Sequence, residues 1–264
     1  MKTIRLYFLF SILVAILASW TLLTDNWISE KTKNYNLLYT KADQPNKKEY
    51  TKIIDKGSKS VQKFMNDSFK KNFLVCIHPH RKSLDSTWQK NWNMPGFKSE
   101  CWMVASGTAT RLDMISPKAW DKEACEHSYA DQTKTELLIA HELFHVYHGQ
   151  LNVSPDFSDV YDIDWFVEGL ATYASGQCDS NRINEIKKLI TDNKVPKSLN
   201  DFWKGKLKYG LSGSVVMYID KTYDRAKLKG LLRFNKKTEI LSALNTTEEK
   251  LLSDWKIFIK DLKQ

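Results

Sequence analysis

The segment Thr133 to Gly149, TKTELLIAHELFHVYHG, restricts the fold more than any other part of the sequence. It consists largely of good helix formers and stops at a glycine, so it predicts a helix. His141 and His145 are four residues apart, and both therefore project from one face of that helix. Two imidazoles placed in this way can bind one Zn²⁺, and a catalytic zinc needs a third protein ligand from elsewhere in the chain.

Glu142 directly follows the first of these histidines and lies beside the face that they share. Its carboxylate can therefore reach a zinc-bound water without binding the ion itself. This is the H-E-x-x-H arrangement of zinc proteases, in which the glutamate takes the proton of a water acidified by zinc. The alternative is that His141 and His145 are hydrogen-bonded residues of a buried helix.

A second predicted helix, WFVEGLATYASG, follows a polar loop and carries Glu168. Asp162 or Asp164 is placed to cap its beginning. The loop is long enough to return this helix alongside the first one. Glu168 is therefore the candidate for the third zinc ligand.

On these residues the sequence resembles the gluzincins, the thermolysin-like metallopeptidases with two histidines and a distal glutamate. More narrowly, it is similar to peptidase MA-like domains, in which a W-x-x-E-G-x-A stretch supplies the third ligand, as in WFVEGLA at 165–171. The resemblance implies that His141, His145 and Glu168 hold Zn²⁺ and that Glu142 is the catalytic base.

The resemblance extends loosely over residues 35–262. It implies that 105–117 roofs the active site as an edge strand that pairs with the substrate backbone, and that Gly169 is small because two helices press together there. It also implies that Tyr209 donates to the tetrahedral oxyanion; a half-buried tyrosine at a helix start is the alternative. The G-x-M-E-N motif of gluzincin aminopeptidases is missing from the sequence, which favours an endopeptidase or a narrower specificity.

The order of elements predicts an α+β fold with one core. A small mixed β-sheet packs on the His141–His145 helix, and a mostly helical C-terminal part follows; the resemblance makes this fold thermolysin-like. Strands are expected at 34–40, at 73–79 and on both sides of Gly107, and a loop at 83–100. Helices are expected at 47–69, 181–193, 209–224, 225–235 and 247–262.

The N-terminus predicts export. Lys2 and Arg5 precede an uncharged apolar run from Leu6 to Leu23, which fits a signal peptide or an uncleaved membrane anchor at 1–26. Both interpretations place a single peptidase domain, 27–264, outside the cytoplasm.

The four cysteines fit an oxidising compartment. They predict two disulfides with three possible connectivities, of which the strand-like stretches around Cys76 and Cys101 favour a pair across a sheet, with Cys125 left for Cys178. Free buried thiols are the alternative.

Three further histidines are weaker candidates for metal ligands. His148 shares the side of the helix that carries His141, but its distance along the axis favours an orienting or rim role. His78 and His80 are expected at the surface, with a second metal as the alternative. Thr172 either orients a ligand histidine or simply packs.

The formal net charge is +9, but the lysines are scattered singly and in pairs. This pattern favours a solvated lysine-rich surface over a nucleic-acid partner. The sequence thus predicts an exported zinc peptidase that acts on peptides or proteins. The alternatives are a zinc-binding module with little turnover and an anchored surface protein whose histidines only pack.

Overall fold

The protein is described by a computed structural model over residues 26–263. The predicted signal peptide or anchor therefore lies, apart from its last residue, outside the described residues. Within the described range no helix is both long enough and apolar enough to cross a membrane.

Five strands form one mixed sheet in the order β1-β2-β3-β5-β4. They are β1 (Trp27–Lys31), β2 (Tyr35–Thr40), β3 (Phe73–His78), β4 (Ala105–Thr108) and β5 (Arg111–Ile115). The three inner strands run parallel, and each edge strand is antiparallel to its neighbour. The sequence did not predict β1, because this edge strand buries no residue and so lacks an apolar face.

The strands predicted on both sides of Gly107 are shifted in the structure. Gly107 lies within β4, and the chain reverses at Ala109 and Thr110. The edge strand is also shorter than expected, because Cys101 and Trp102 belong to a turn that precedes it.

Nine helices occur in the part of the chain that the structure describes. They are α1 (Lys47–Met65), α2 (Arg81–Asn91), α3 (Trp120–Glu123), α4 (Gln132–Gly149), α5 (Asp164–Ala174), α6 (Ser180–Thr191), α7 (Lys208–Leu231), α8 (Lys237–Ala243) and α9 (Glu248–Asp261). Helix α7 is broken at Asp224, where φ is 70°, which agrees with the predicted division between 224 and 225.

The loop predicted at 83–100 is wrong over its first half, which belongs to α2. His80 caps this helix through Nδ1, which accepts a hydrogen bond from the Ser83 amide at 3.1 Å. Leu84 and Trp88 are buried and four residues apart. Because only these two residues of α2 face the core, the hydrophobic periodicity that predicts a helix is weak in this segment.

The sheet is covered on both faces. Helices α1 and α4 pack on one face, where strand residues such as Leu37, Val75 and Leu112 are fully buried. Helix α2 covers the opposite face. The main core continues from the sheet into the C-terminal helices as far as Ile259. The predicted α+β architecture with a mixed sheet is therefore confirmed.

The predicted cysteine pairing is wrong. Cys101 and Cys125 form a disulfide with their Cα atoms 5.4 Å apart, and Cys76 and Cys178 are free and buried. The prediction failed because Cys101 lies outside the sheet, whereas Cys76 lies within the parallel strand β3.

The predicted cap of α5 is also wrong. Asp164 is the first residue of the helix, and no side chain caps it. Asp162 instead accepts hydrogen bonds from the Lys237 amide at 2.8 Å and from Asn200 Nδ2 at 3.1 Å. Its carboxylate thus fastens the loop before α5 to the C-terminal helices.

Candidate metal centre

Helix α4 presents the H-E-x-x-H residues at the floor of a cleft. Asp131 caps the helix by accepting a hydrogen bond from the Lys134 amide at 3.0 Å. His141, Glu142 and His145 are only 5%, 8% and 6% exposed. Their imidazoles and carboxylate are therefore held by packing, and little solvent reaches them.

Helix α5 brings Glu168 to the two histidines. His141 Nε2 and His145 Nε2 are 3.0 Å apart, and Glu168 Oε2 lies 3.4 Å from the first and 3.5 Å from the second. Zinc with tetrahedral ligands at about 2.0–2.1 Å places neighbouring ligand atoms roughly 3.3–3.4 Å apart. The two distances to Glu168 are near this spacing and the distance between the histidine nitrogens is shorter, so the three residues suit a tetrahedral ion such as zinc.

Gln177 orients the first ligand. Its Oε1 lies 2.9 Å from His141 Nδ1 and accepts that N–H. This bond leaves His141 Nε2 free to face the other two ligand atoms. Gln177 could not be predicted from the sequence, because it lies in the turn between α5 and α6 and belongs to no motif.

The charges of the three groups are strongly coupled in the metal-free protein. Burial lowers the pKa of His145, but the carboxylates of Glu168 and Glu142 outweigh burial and bring it above the ordinary value. Burial raises the pKa of Glu168, yet His145 and His141 bring it well below its usual range. The site therefore favours a Glu168 carboxylate, the form that binds a cation.

Glu142 lies beside this cluster and faces the cleft. Its carboxylate takes part in no ion pair or hydrogen bond among the described residues. Edge strand β4 forms the opposite wall. Gly107 lets β4 lie close to α4, because a Cβ atom on this residue would overlap the backbone carbonyl of Glu142. The cleft has a volume of about 740 Å³, which is large enough for several residues of a peptide.

Tyr209 lies on the third side of the cleft, in the first turn of α7. Its ring centroid is 6.4 Å from that of His141. Burial raises the pKa of its phenol, and the charges of Glu168 and Glu142 raise it further. Tyr209 thus stays protonated and can donate a hydrogen bond in the cleft.

His148 does not lie at the rim of the cleft, contrary to expectation. It is 0% exposed, and its Nε2 lies 3.1 Å from the carbonyl oxygen of Leu232. The ring of Phe157, whose φ is 58°, packs against both His145 and His148. Its centroid lies 5.9 Å from that of His145 and 5.3 Å from that of His148.

Thr172 is buried, and its Oγ1 has no hydrogen-bond partner among the described residues, which favours packing over an orienting role.

The expectation that His78 lies at the surface is wrong. His78 is buried, and together with Cys76 and Asp113 it forms a second group of metal-ligand type. However, Arg111 donates to both oxygens of Asp113, at 2.6 and 2.5 Å, and His78 Nδ1 lies 3.1 Å from Ser83 Oγ. Burial also raises the pKa of the Cys76 thiol to about 12. This group is therefore a satisfied polar network beneath α2.

No protein-family model matches the sequence, and a search of curated proteins finds no significant match.

Proposed function

We propose that the protein is an exported zinc-dependent peptidase of the gluzincin type, with a thermolysin-like catalytic fold. The observation that carries the proposal is the spacing of His141, His145 and Glu168, which suits tetrahedral zinc, beside an unpaired Glu142 in an open cleft. The substrate is a peptide or protein, which the cleft can accommodate as an extended segment along β4.

The chain's own residues account for the steps of peptide-bond hydrolysis. His141, His145 and Glu168 would hold the ion, which supplies a Lewis acid that acidifies water and polarises the scissile carbonyl. Glu142 takes a proton from the attacking water as the new C–O bond forms. Tyr209 donates to the developing oxyanion. Glu142 then passes the proton to the amide nitrogen as the C–N bond breaks.

The proposed location rests on the N-terminal sequence. Lys2, Arg5 and the apolar run that follows would direct the chain across a membrane, as a secreted protein or as one anchored by this segment. The Cys101–Cys125 disulfide would be stable in the oxidising compartment that this location implies.

Metal content and cleavage together test the proposal. We expect the purified full chain to bind about one zinc per molecule, and His145→Ala to lose it. Glu142→Gln should keep the zinc but lower the cleavage rate of a peptide library by about 10²–10⁴-fold, since it removes the base and leaves the ligands. The measurements are elemental analysis of the protein and mass spectrometry of the cleaved library.

Glu136→Gln is the matched control, because Glu136 lies on the same helix but pairs with Lys56 at the surface. It should leave both zinc content and cleavage unchanged. A folded chain that binds no supplied zinc would refute the proposal. Zinc binding without Glu142-dependent cleavage would favour the alternative of a binding module with a structural role.

A further inference from the structure

One wall of the cleft carries a lysine surrounded by aromatic rings. Lys208 Nζ lies 4.5 Å from the ring centroid of Trp203, 5.1 Å from that of Trp102 and 5.3 Å from that of Tyr209. Trp102 belongs to the loop before β4, and Trp203 and Tyr209 belong to the C-terminal half. Lys208 thus reaches across one end of the cleft, where the aromatic faces favour a cation.

Lys208 is an unpaired cation within the part of the chain that the structure describes. It forms no ion pair with any described residue, whereas Lys134, another cation that lines the cleft, pairs with Asp131 at 3.1 Å. Lys208 is also the first residue of α7, and no side chain caps that helix. A cation at the positive end of a helix dipole is unfavourable on its own. The ammonium of Lys208 is therefore available to a negatively charged ligand at this end of the cleft, which Glu126 also lines.

Arg182 adds a second cation to the same wall. Its Cζ lies 5.5 Å from the Tyr209 ring centroid, and its Nη1 donates to the carbonyl oxygen of Gln177. Like Lys208, it forms no ion pair with a described carboxylate. Both cations therefore flank Tyr209, whose ring is in turn close to the ligand His141.

We infer that Lys208 and Arg182 form a subsite that binds a carboxylate of the substrate. The inference rests on the proposed function and specifies its substrate class, namely peptides that carry a negative charge near the scissile bond. The carboxylate is either the C-terminal carboxyl group of a short peptide or the side chain of an Asp or Glu. In both cases the charge-assisted contacts would hold the substrate beside Tyr209.

Binding to the full chain tests this subsite independently of turnover. The probes are four pools of pentapeptides that carry an uncharged fluorophore: one with a free C-terminal carboxyl group, one amidated, one amidated with a single Glu, and one amidated with a single Gln in its place. Fluorescence anisotropy is measured on zinc-free and zinc-loaded protein. We expect a carboxylate-bearing pool to bind about tenfold to a hundredfold more tightly than its neutral counterpart. The free-carboxyl pool would identify a terminal group, and the Glu pool would identify a side chain.

Lys208→Met should abolish this difference between the charged and the neutral pools. Lys206→Met is the matched control, because Lys206 is exposed and does not line the cleft; it should retain the preference. Equal binding of charged and neutral pools, or a preference that survives in Lys208→Met, would overturn the inference. If the preference depends on Lys208 but the chain binds no zinc, the proposed subsite is supported and the proposed peptidase function is refuted.

Discussion

His148 shows how burial changes the chemistry of one residue. It lies one turn beyond His145, yet it contacts the Leu232 carbonyl and the rings of Phe157 and Phe166 instead of the cleft. Burial lowers the pKa of His148 to about 3, and the charge of His145 contributes, while the bond to Leu232 opposes the shift. The ring is therefore neutral in the folded protein at every moderate pH.

This burial makes the folded state sensitive to acid. The unfolded chain binds a proton at His148 below its ordinary pKa of about 6.5, whereas the folded chain does so only near 3. Stability is therefore lost as pH falls from about 6.5 toward 3, by roughly 2 kcal/mol at pH 5. His148→Gln keeps a donor for Leu232 but does not titrate, and should remove this loss. Urea unfolding of the metal-free variant and wild type at pH 7 and pH 5 measures the difference.

The metal-free form is needed because acid would also release any zinc that His141 and His145 hold under the proposed function. At pH 7 the variant should be within about 1 kcal/mol of wild type, since one hydrogen bond is exchanged for another. An equal acid sensitivity of both proteins would show that His148 is not the responsible group.

At the scale of elements, the site depends on two backbone approaches that only glycine allows. Gly107 lets β4 lie against α4, and Gly169 lets α5 lie against α7. A Cβ at Gly169 would be 2.5 Å from the carbonyl oxygen of Ser212. The sequence predicts Gly169 at the contact between α5 and the His141–His145 helix, but the structure places it against α7. Glu168 is its neighbour and faces the histidines, so the packing of α5 on α7 positions the third candidate ligand.

Gly169→Ala should therefore weaken the metal site without changing a ligand. Because the Ser212 backbone cannot move away easily, we expect a loss of about 1–3 kcal/mol in stability and weaker zinc binding. Chemical unfolding and competition with a zinc chelator measure the two effects.

Gly230→Ala is the control in the same helical region. No atom lies within 4 Å of the Cβ that it would add, so it should stabilise the protein by about 0.5–1 kcal/mol. If both variants bound zinc as wild type does, the contact between α5 and α7 would not position Glu168.

At the scale of the whole molecule, the Cys101–Cys125 disulfide holds one wall of the cleft in place. This wall faces the C-terminal helices. The turn that contains Cys101 also carries Trp102, which is 40% exposed and contacts Lys208. Arg81 supports the same turn by donating to the carbonyl oxygens of Glu100 and Cys101, at 2.8 and 3.0 Å. The disulfide therefore ties together segments that neither the sheet nor a long helix holds.

Removing this disulfide should destabilise the protein and leave the metal site intact. A disulfide that closes a loop of this length contributes about 3 kcal/mol, so the Cys101→Ala, Cys125→Ala double variant should melt roughly 6–12 °C lower. Its zinc content should not change, because no ligand lies in the loop. Calorimetry and elemental analysis provide the measurements.

Thiol titration checks the connectivity itself. The unfolded, unreduced chain should expose the two thiols of Cys76 and Cys178, and reduction should raise the number to the four cysteines of the sequence. An unreduced chain without any reactive thiol would contradict the pairing that the structure gives.

The sequence by itself determined the features that depend on local spacing. The helix that carries His141 and His145, the buried strand before Pro79 and the break near Asp224 all follow from hydrophobic periodicity and helix-ending residues. These predictions are confirmed because neighbours within one or two turns set the relevant geometry. Glu168 was singled out by the resemblance of the residues around it to a family motif, and its role as a metal ligand stays a prediction.

Only the tertiary structure decided which groups meet across long stretches of chain. It placed Gln177 on His141, buried His148 beneath Leu232, enclosed His78 in a polar network and paired Cys101 with Cys125. None of these contacts is encoded by spacing along the sequence, since each depends on how separate elements pack. All three of these histidines are buried, so the groups that packing brings to each one decide whether it joins the candidate metal group, bonds to a core carbonyl or belongs to a polar network.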